Sequence, residues 1–202
     1  MLYRKMPKNS DELSILGFGC MRLPVKKDGT IEEKRAIRQI RHALDNGVNY
    51  VDTAWPYHAG ESEALLGRAL EGGYRDKVRI ATKLPSWMIR SREDMDRYLD
   101  AQLEKLGTDR IDYYLLHALD GNGWDTLKKL GVAHFLDKAL ADGRIMNAGF
   151  SFHGMAEDFK RIVDAYPWVF CQIQYNYLDQ EYQAGTAGLK YAAVPAWYSW
   201  SR

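Results

Sequence analysis

Cysteine is nearly absent from this 202-residue sequence: only Cys20 and Cys171 occur, each inside an apolar run. Two buried thiols cannot build a disulfide framework or a four-ligand metal site, so no metal is expected, and they suit a reducing, cytoplasmic setting. An excess of one charge is also missing. Lys+Arg total 28 against Asp+Glu 27, a net charge of +1, and no basic run occurs. Neither nucleic acid nor an acidic membrane surface is therefore an expected partner. No stretch is long and apolar enough to span a bilayer, and the opening "MLYRKMPKNSDELS" lacks the apolar core of a secretion signal. There is no linker and no low-complexity segment, and the composition is even up to about residue 190. A single domain over 1–202 is expected.

What the sequence does contain is a rhythm. The runs "VNYVDTA", "VRIATK", "IDYYLLH", "IMNAGFS" and "VFCQIQY" are apolar at nearly every position, as parallel strands buried on both faces are. Amphipathic stretches lie between them. Thr30 and Glu33 make a capping-box pattern ahead of Ala36, Ile37, Ile40, Ala43 and Leu44, with Gly47 as the stop. Ser91 precedes Met95, Leu99, Leu103 and Leu106, closed by Gly107. Leu127, Leu130, Phe135, Leu136 and Leu140 read as one further helix ended by Gly143. Strand starts recur roughly every thirty residues, the period of a strand–helix unit. "SILGFGC" is the expected first strand, with "LYRKM" and "ELSIL" forming a small hairpin before it. Open doubly wound sheets and barrels both fit such alternation. The glycine-rich G-x-G-x-x-G turn of the open sheet is absent after "GFGCMRLP", and the placement of polar residues favours the barrel.

Asp52, Lys83, His117, Ser151 and Gln172 each stand near the end of an otherwise apolar strand. Singly, each has a plain reading: a turn, a surface lysine, a satisfied core histidine. Together they do not, because the carboxyl ends of barrel strands converge on one face. An unperturbed phenol has a pKa near ~10, and a neighbouring ammonium, itself held by a carboxylate, stabilises its anion. Asp52, Lys83 and Tyr57 thus make a tuned proton donor, and His117 can orient the oxygen that receives the proton. A polarised carbonyl is the natural substrate.

On these residues the sequence resembles the aldo-keto reductases. "VDTAWPYHAGESE" is similar to their Asp-Thr-Ala…Tyr-Gly…Ser-Glu signature, "IATKLP" to the strand of their lysine, and "DRIDYYLLHALD" to the strand of their histidine. "GFSFHG" and "CQIQYNYLD" resemble two later strands, and the likeness runs from about residue 14 to about 193. It implies an α/β fold of the (β/α)8 TIM-barrel type and NADPH as hydride donor. It also implies a catalytic tetrad of Asp52, Tyr57, Lys83 and His117, with Tyr57 the general acid. Ser151 and Gln172 would hold the nicotinamide carboxamide, and the backbone around Gly19, Cys20 and Met21 would lie against the cofactor. Phe152 and His58 stand where the family often has Asn and Gly. Trp55, Trp87 and Trp124 fall in strand–helix loops and could line an apolar carbonyl pocket, Trp55 and Trp87 being the substrate-pocket candidates.

The barrel is expected to be incomplete, with about six strand–helix units. The family would continue into a seventh and an eighth strand, carrying the aromatic that stacks on the nicotinamide and the basic loop for the 2′-phosphate. Here the chain instead reads "VPAWYSWSR" over residues 194–202. Two function classes follow: a carbonyl reductase, or a cofactor-deficient barrel fragment with weak or lost NADPH binding and little or no turnover, acting as a remnant or an interaction module. Open strand edges imply self-association.

Overall fold

Strands that are apolar on both faces need cover on both, and the chain provides it with a helix after nearly every strand. The computed structural model describes residues 1–193; the "VPAWYSWSR" tail, with the expectation attached to it, lies outside the described residues. A short antiparallel hairpin comes first, β1 (Tyr3–Lys5) with β2 (Glu12–Ser14). Then follow β3 (Phe18–Gly19), α1 (Glu33–Asp45), β4 (Tyr50–Asp52), α2 (Ser62–Ala69), β5 (Arg79–Leu84), α3 (Arg92–Leu106) and β6 (Tyr113–Leu119). The chain continues through α4 (Gly121–Lys129), α5 (Val132–Ala141), β7 (Ala148–Phe152), α6 (Ala156–Val163), β8 (Phe170–Ile173) and α7 (Gly185–Ala193). Strands β3 to β8 form one parallel sheet in sequence order. It curls into a half-barrel with helices outside, which is the expected fold class in its six-unit form.

Register decides what faces inward. Asp52 pairs with Ala81, Lys83 with Leu115, Leu115 with Gly149, and Ser151 with Gln172. Side chains alternate with period two, so Asp52, Lys83, His117, Ser151 and Gln172 all share one face. Beneath them on that face lie Tyr50, Ala81, Tyr113, Leu115 and Phe170, an inner core. Gly149 belongs to this layer, where a Cβ would overlap the Phe170 ring. The hairpin plugs the layer from below with Met6 and Leu13. Asn9 donates to Tyr113 Oη (2.9 Å) and to Asn147 Oδ1 (2.8 Å), and Tyr113 Oη donates to Asp11 Oδ2 (2.9 Å).

The larger core lies between sheet and helices. Met95, Leu99, Gln102 and Leu106 of α3 face inward at helical spacing. Each fully buried aliphatic of this kind contributes about 1.5–3 kcal/mol. Ser91 and Asp94 form a capping box, and Gly107 closes α3 in the left-handed region at φ 61°. One polar bolt crosses this core. Thr82 Oγ1 and Gln102 Nε2 both donate to Glu63 Oε1 at 2.6 Å, and Tyr114 Oη donates to Gln102 Oε1 at 2.8 Å. It ties α2, β5, α3 and β6 together behind Lys83, whose carbonyl accepts from the same Gln102 (3.0 Å).

Four expectations need correction. Thr30 does not cap α1: its hydroxyl and amide both donate to Asp28 (2.6 and 2.9 Å), closing the turn bracketed by the Val25–Ile31 bridge. The helix then starts at Glu33 without a side-chain cap. The stripe from Leu127 to Leu140 is two helices, because Gly131 turns left-handed (φ 78°) between them. The first strand shrinks to Phe18–Gly19. Of the two thiols, Cys20 is fully buried but Cys171 only partly, on edge strand β8.

Burial holds the Glu63 carboxyl above its ordinary range, so the folded chain keeps a proton that the unfolded chain gives up. That stabilisation is complete below the ordinary carboxylate value and is lost as pH rises through the folded one. Thermal melts of wild type and Glu63→Gln between about pH 4 and pH 8 should therefore diverge, wild type losing Tm relative to the variant as pH rises. A Tm difference that stays constant with pH would mean that folding does not shift the carboxyl's pKa.

Candidate active site

The inward-facing polar residues meet at the carboxyl end of the sheet. Lys83, one residue from the end of β5, is 2% exposed and its ammonium has nowhere to go but into acceptors. It finds Asp52 Oδ1 at 2.7 Å, the Thr53 carbonyl at 2.8 Å and Tyr57 Oη at 3.3 Å. Because the ammonium donates to the phenol oxygen, the phenol's own proton is left to point elsewhere. The Tyr57 ring lies 4.9 Å from the ammonium and 6.0 Å, edge-on, from the His117 ring.

His117 is kept neutral. Burial first, then the charge of Lys83, push its pKa down to about 3. Its Nδ1 is buried without a hydrogen-bond partner among the described residues, and the half-exposed Trp87 ring lies 5.1 Å away. A neutral imidazole carries one N–H to donate and one lone pair, and at ordinary pH it is no source of a strong acid proton.

Ser151 and Gln172 stand side by side in the β7–β8 register. The Ser151 hydroxyl accepts from Ala118 N–H at 2.8 Å, where β6 breaks its ladder and Ala118 adopts a left-handed φ of 52°. Gln172 reaches across the curled sheet to Asp52 with a long 3.4 Å bond. At the end of β3 the space beside Gly19 is open: among the described residues, its chain neighbours aside, no atom lies within 4 Å of where a Cβ would stand. Met21 is 53% exposed next to it, while the Cys20 side chain turns into the core, where burial pushes its thiol up to about 12. Only the backbone of Cys20 can therefore face a ligand.

The tryptophans divide. Trp87 lies by His117, but Trp55 is taken up by α3, edge-on to Tyr98 (4.9 Å) and under the Lys105 ammonium (3.8 Å). Trp124 is core, packed on Trp168. Phe152 points outward onto Phe159 of α6, opposite to Ser151, so it is a packing residue. Thr53 and Ser62, not singled out in the sequence, share a 2.9 Å hydroxyl bond, and Ser62 Oγ also donates to the Cys20 carbonyl at 3.4 Å. Their signal was there to read: two buried hydroxyls flanking the Tyr57 loop.

A carboxylate, an ammonium, a phenol and an imidazole thus meet on the inner face at the carboxyl end of a curled parallel α/β sheet, where proteins of the barrel class build their sites. The aldo/keto reductase family model matches residues 15–188, and the chain belongs to that family. Probable aldo-keto reductase 1 of Glycine max is 28% identical over 180 residues, covering 85% of this chain and 51% of that protein. The holo form of aldo-keto reductase AKR11C1 from Bacillus halodurans superposes with a TM-score of 0.76 at 28% identity, covering 89% of this chain and 59% of that one. A Klebsiella pneumoniae aldo/keto reductase in complex with NADP and acetate superposes with a TM-score of 0.63 at 26% identity, covering 75% and 50%. The chain thus spans between 50% and 59% of the length of these relatives.

The imidazole of His117 gives a direct check on this electrostatic arrangement. Its depressed pKa means that the fold resists protonation, so its contribution to stability is present above the unfolded value of ~6.5 and is lost as pH falls below it. In ¹⁵N-imidazole spectra His117 should still be neutral at about pH 5 and titrate only near 3. A midpoint close to the free-histidine value would show that the ring is neither desolvated nor beside a buried ammonium.

Proposed function

We propose that this chain carries the site for NADPH-dependent reduction of an aldehyde or ketone to an alcohol, with Tyr57 as proton donor. The observation that carries this reading is the Lys83 ammonium, bound to Asp52 Oδ1 at 2.7 Å while donating to Tyr57 Oη at 3.3 Å. Negative charge that develops on the phenol oxygen as its proton leaves is then met by an ammonium already in place. Asp52 holds that ammonium and offsets its desolvation. His117, neutral and with no hydrogen-bond partner on Nδ1 among the described residues, serves to orient the carbonyl oxygen by hydrogen bonding.

The residues present fit a nicotinamide cofactor. Ser151 and Gln172 offer a hydroxyl and a loosely held amide side by side, and the open backbone at Gly19 lets a flat group approach. Cys20 and Met21 continue that backbone wall. When bound, NADPH supplies the hydride to the carbonyl carbon. Trp87, at the mouth beside His117, would border an apolar substrate group. Trp55 is the weaker candidate for that task, since α3 occupies its ring.

The test is NADPH consumption by the purified chain against a panel of small aldehydes. Tyr57→Phe should lower kcat by about 10²–10⁴-fold, the usual worth of a positioned general acid, with NADPH affinity unchanged. Lys83→Met should lose activity to a similar degree, because the phenol oxygen then faces no ammonium. Turnover largely retained in Tyr57→Phe would remove Tyr57 from the role. Absence of NADPH consumption with every aldehyde would count against the reductase reading itself.

A further inference from the structure

Tyr57 lies in a loop whose backbone is under strain. His58 (φ 52°, ψ 48°) and Ala59 (φ 55°, ψ 29°) are both left-handed without being glycine, and Gly60 follows at φ 92°. Consecutive left-handed residues with side chains persist only where neighbouring structure over-determines them. Two contacts, from different elements, do so here. On one side the Leu23 N–H, in the loop after β3, donates to His58 Nε2 at 3.1 Å. On the other, Lys105 of α3 donates to the Gly60 carbonyl at 3.0 Å while its ammonium stands 3.8 Å from the centre of the Trp55 ring. The stretch from Trp55 to Gly60 is fastened at both ends, with Tyr57 between them.

The phenol has little else to hold it. Beyond the backbone bonds from the Tyr57 N–H to the Ala54 carbonyl (3.1 Å) and from the Glu61 N–H to the Tyr57 carbonyl, the polar and ring contacts of Tyr57 among the described residues are the Lys83 ammonium and the edge of His117. Its distance to Lys83 is therefore set by where the loop backbone is pinned. We infer that His58 and Lys105 form a two-sided clasp and act as positioning residues for Tyr57; the inference rests on Tyr57 being the proton donor of the proposed reduction. Neither side chain touches the reacting atoms. Leu23 comes two residues after Met21, at the end of the turn Cys20–Arg22, so the His58 arm also couples the acid's loop to the wall on which the cofactor would lie.

Two variants separate positioning from folding. His58→Gly relieves the left-handed backbone and removes only the acceptor. Lys105→Met keeps an apolar stem on Trp55 and removes the charge and the donor. Both should melt at or above the wild-type Tm for the first and close to it for the second. In His58→Gly the Leu23 amide should exchange with solvent about tenfold faster, as expected for a lost hydrogen bond of ordinary strength. In both, the nuclear Overhauser contact between the Tyr57 ring and the Lys83 ε-methylene should weaken. Against aldehyde, kcat should fall about ten- to a hundredfold with KM little changed, since a misplacement near 1 Å costs up to that much. Leu23 protection and the Tyr57–Lys83 contact surviving intact in both variants would overturn the clasp. Exchange and Overhauser readouts need no turnover, so an inactive wild type would refute the reductase reading while leaving the clasp to be decided on its own evidence.

Discussion

A buried ammonium dictates the architecture of this site. Lys83 cannot reach water, and an uncompensated charge at such a position is costly, on the order of 3–5 kcal/mol when a partner is removed. Three acceptors must therefore converge on it, and each constrains a different piece of chain. Asp52 has to be the last residue of β4, Thr53 has to turn its carbonyl inward, and Tyr57 has to return over the sheet within four residues of leaving it. The Thr53 N–H bond to the Ala81 carbonyl (2.9 Å) keeps that turn on the edge of the ladder. From behind, Gln102 holds the Lys83 carbonyl and the Glu63–Thr82 bolt holds β5. Charge, strand end and loop are thus one problem with one solution.

The same logic explains what the sequence disclosed. Parallel strands that are apolar throughout advertise themselves, and a polar residue near the end of such a run is conspicuous. Asp52, Lys83, His117, Ser151 and Gln172 were legible for that reason, and the observed register places all five on one face. Ser91 and Gly107 were legible because the cap chemistry of α3 is local. Their proximity was readable; the roles given to them here remain a proposal, supported by the Lys83 geometry and by membership of the family.

What sequence could not supply were competitions between near-equal local options. Thr30 had a capping partner at the right spacing, but Asp28 two residues back offered a shorter bond, and the turn won. Gly131 was one glycine among many until its φ showed that it divides α4 from α5. Trp55, in a loop facing the site by position, was claimed by Lys105 and Tyr98, which lie more than forty residues further on. Polar pairs across helices, such as Glu63 with Gln102, leave no periodic trace. Their members look like ordinary surface residues until the packing is known.

The plug under the sheet carries a consequence for how the chain is made. Lys8 reaches the Trp168 carbonyl (2.7 Å), and Asn9 reaches Asn147, across sequence separations of 160 and 138 residues. During synthesis the first dozen residues emerge long before the strands they seal. The hairpin can pair within itself, but its contacts under the sheet must wait until β7 and β8 have left the ribosome. Contacts of such span close late and slow the search for the native state. The inner layer of Tyr50, Tyr113 and Phe170 consequently cannot be sealed from below until those long-span contacts close.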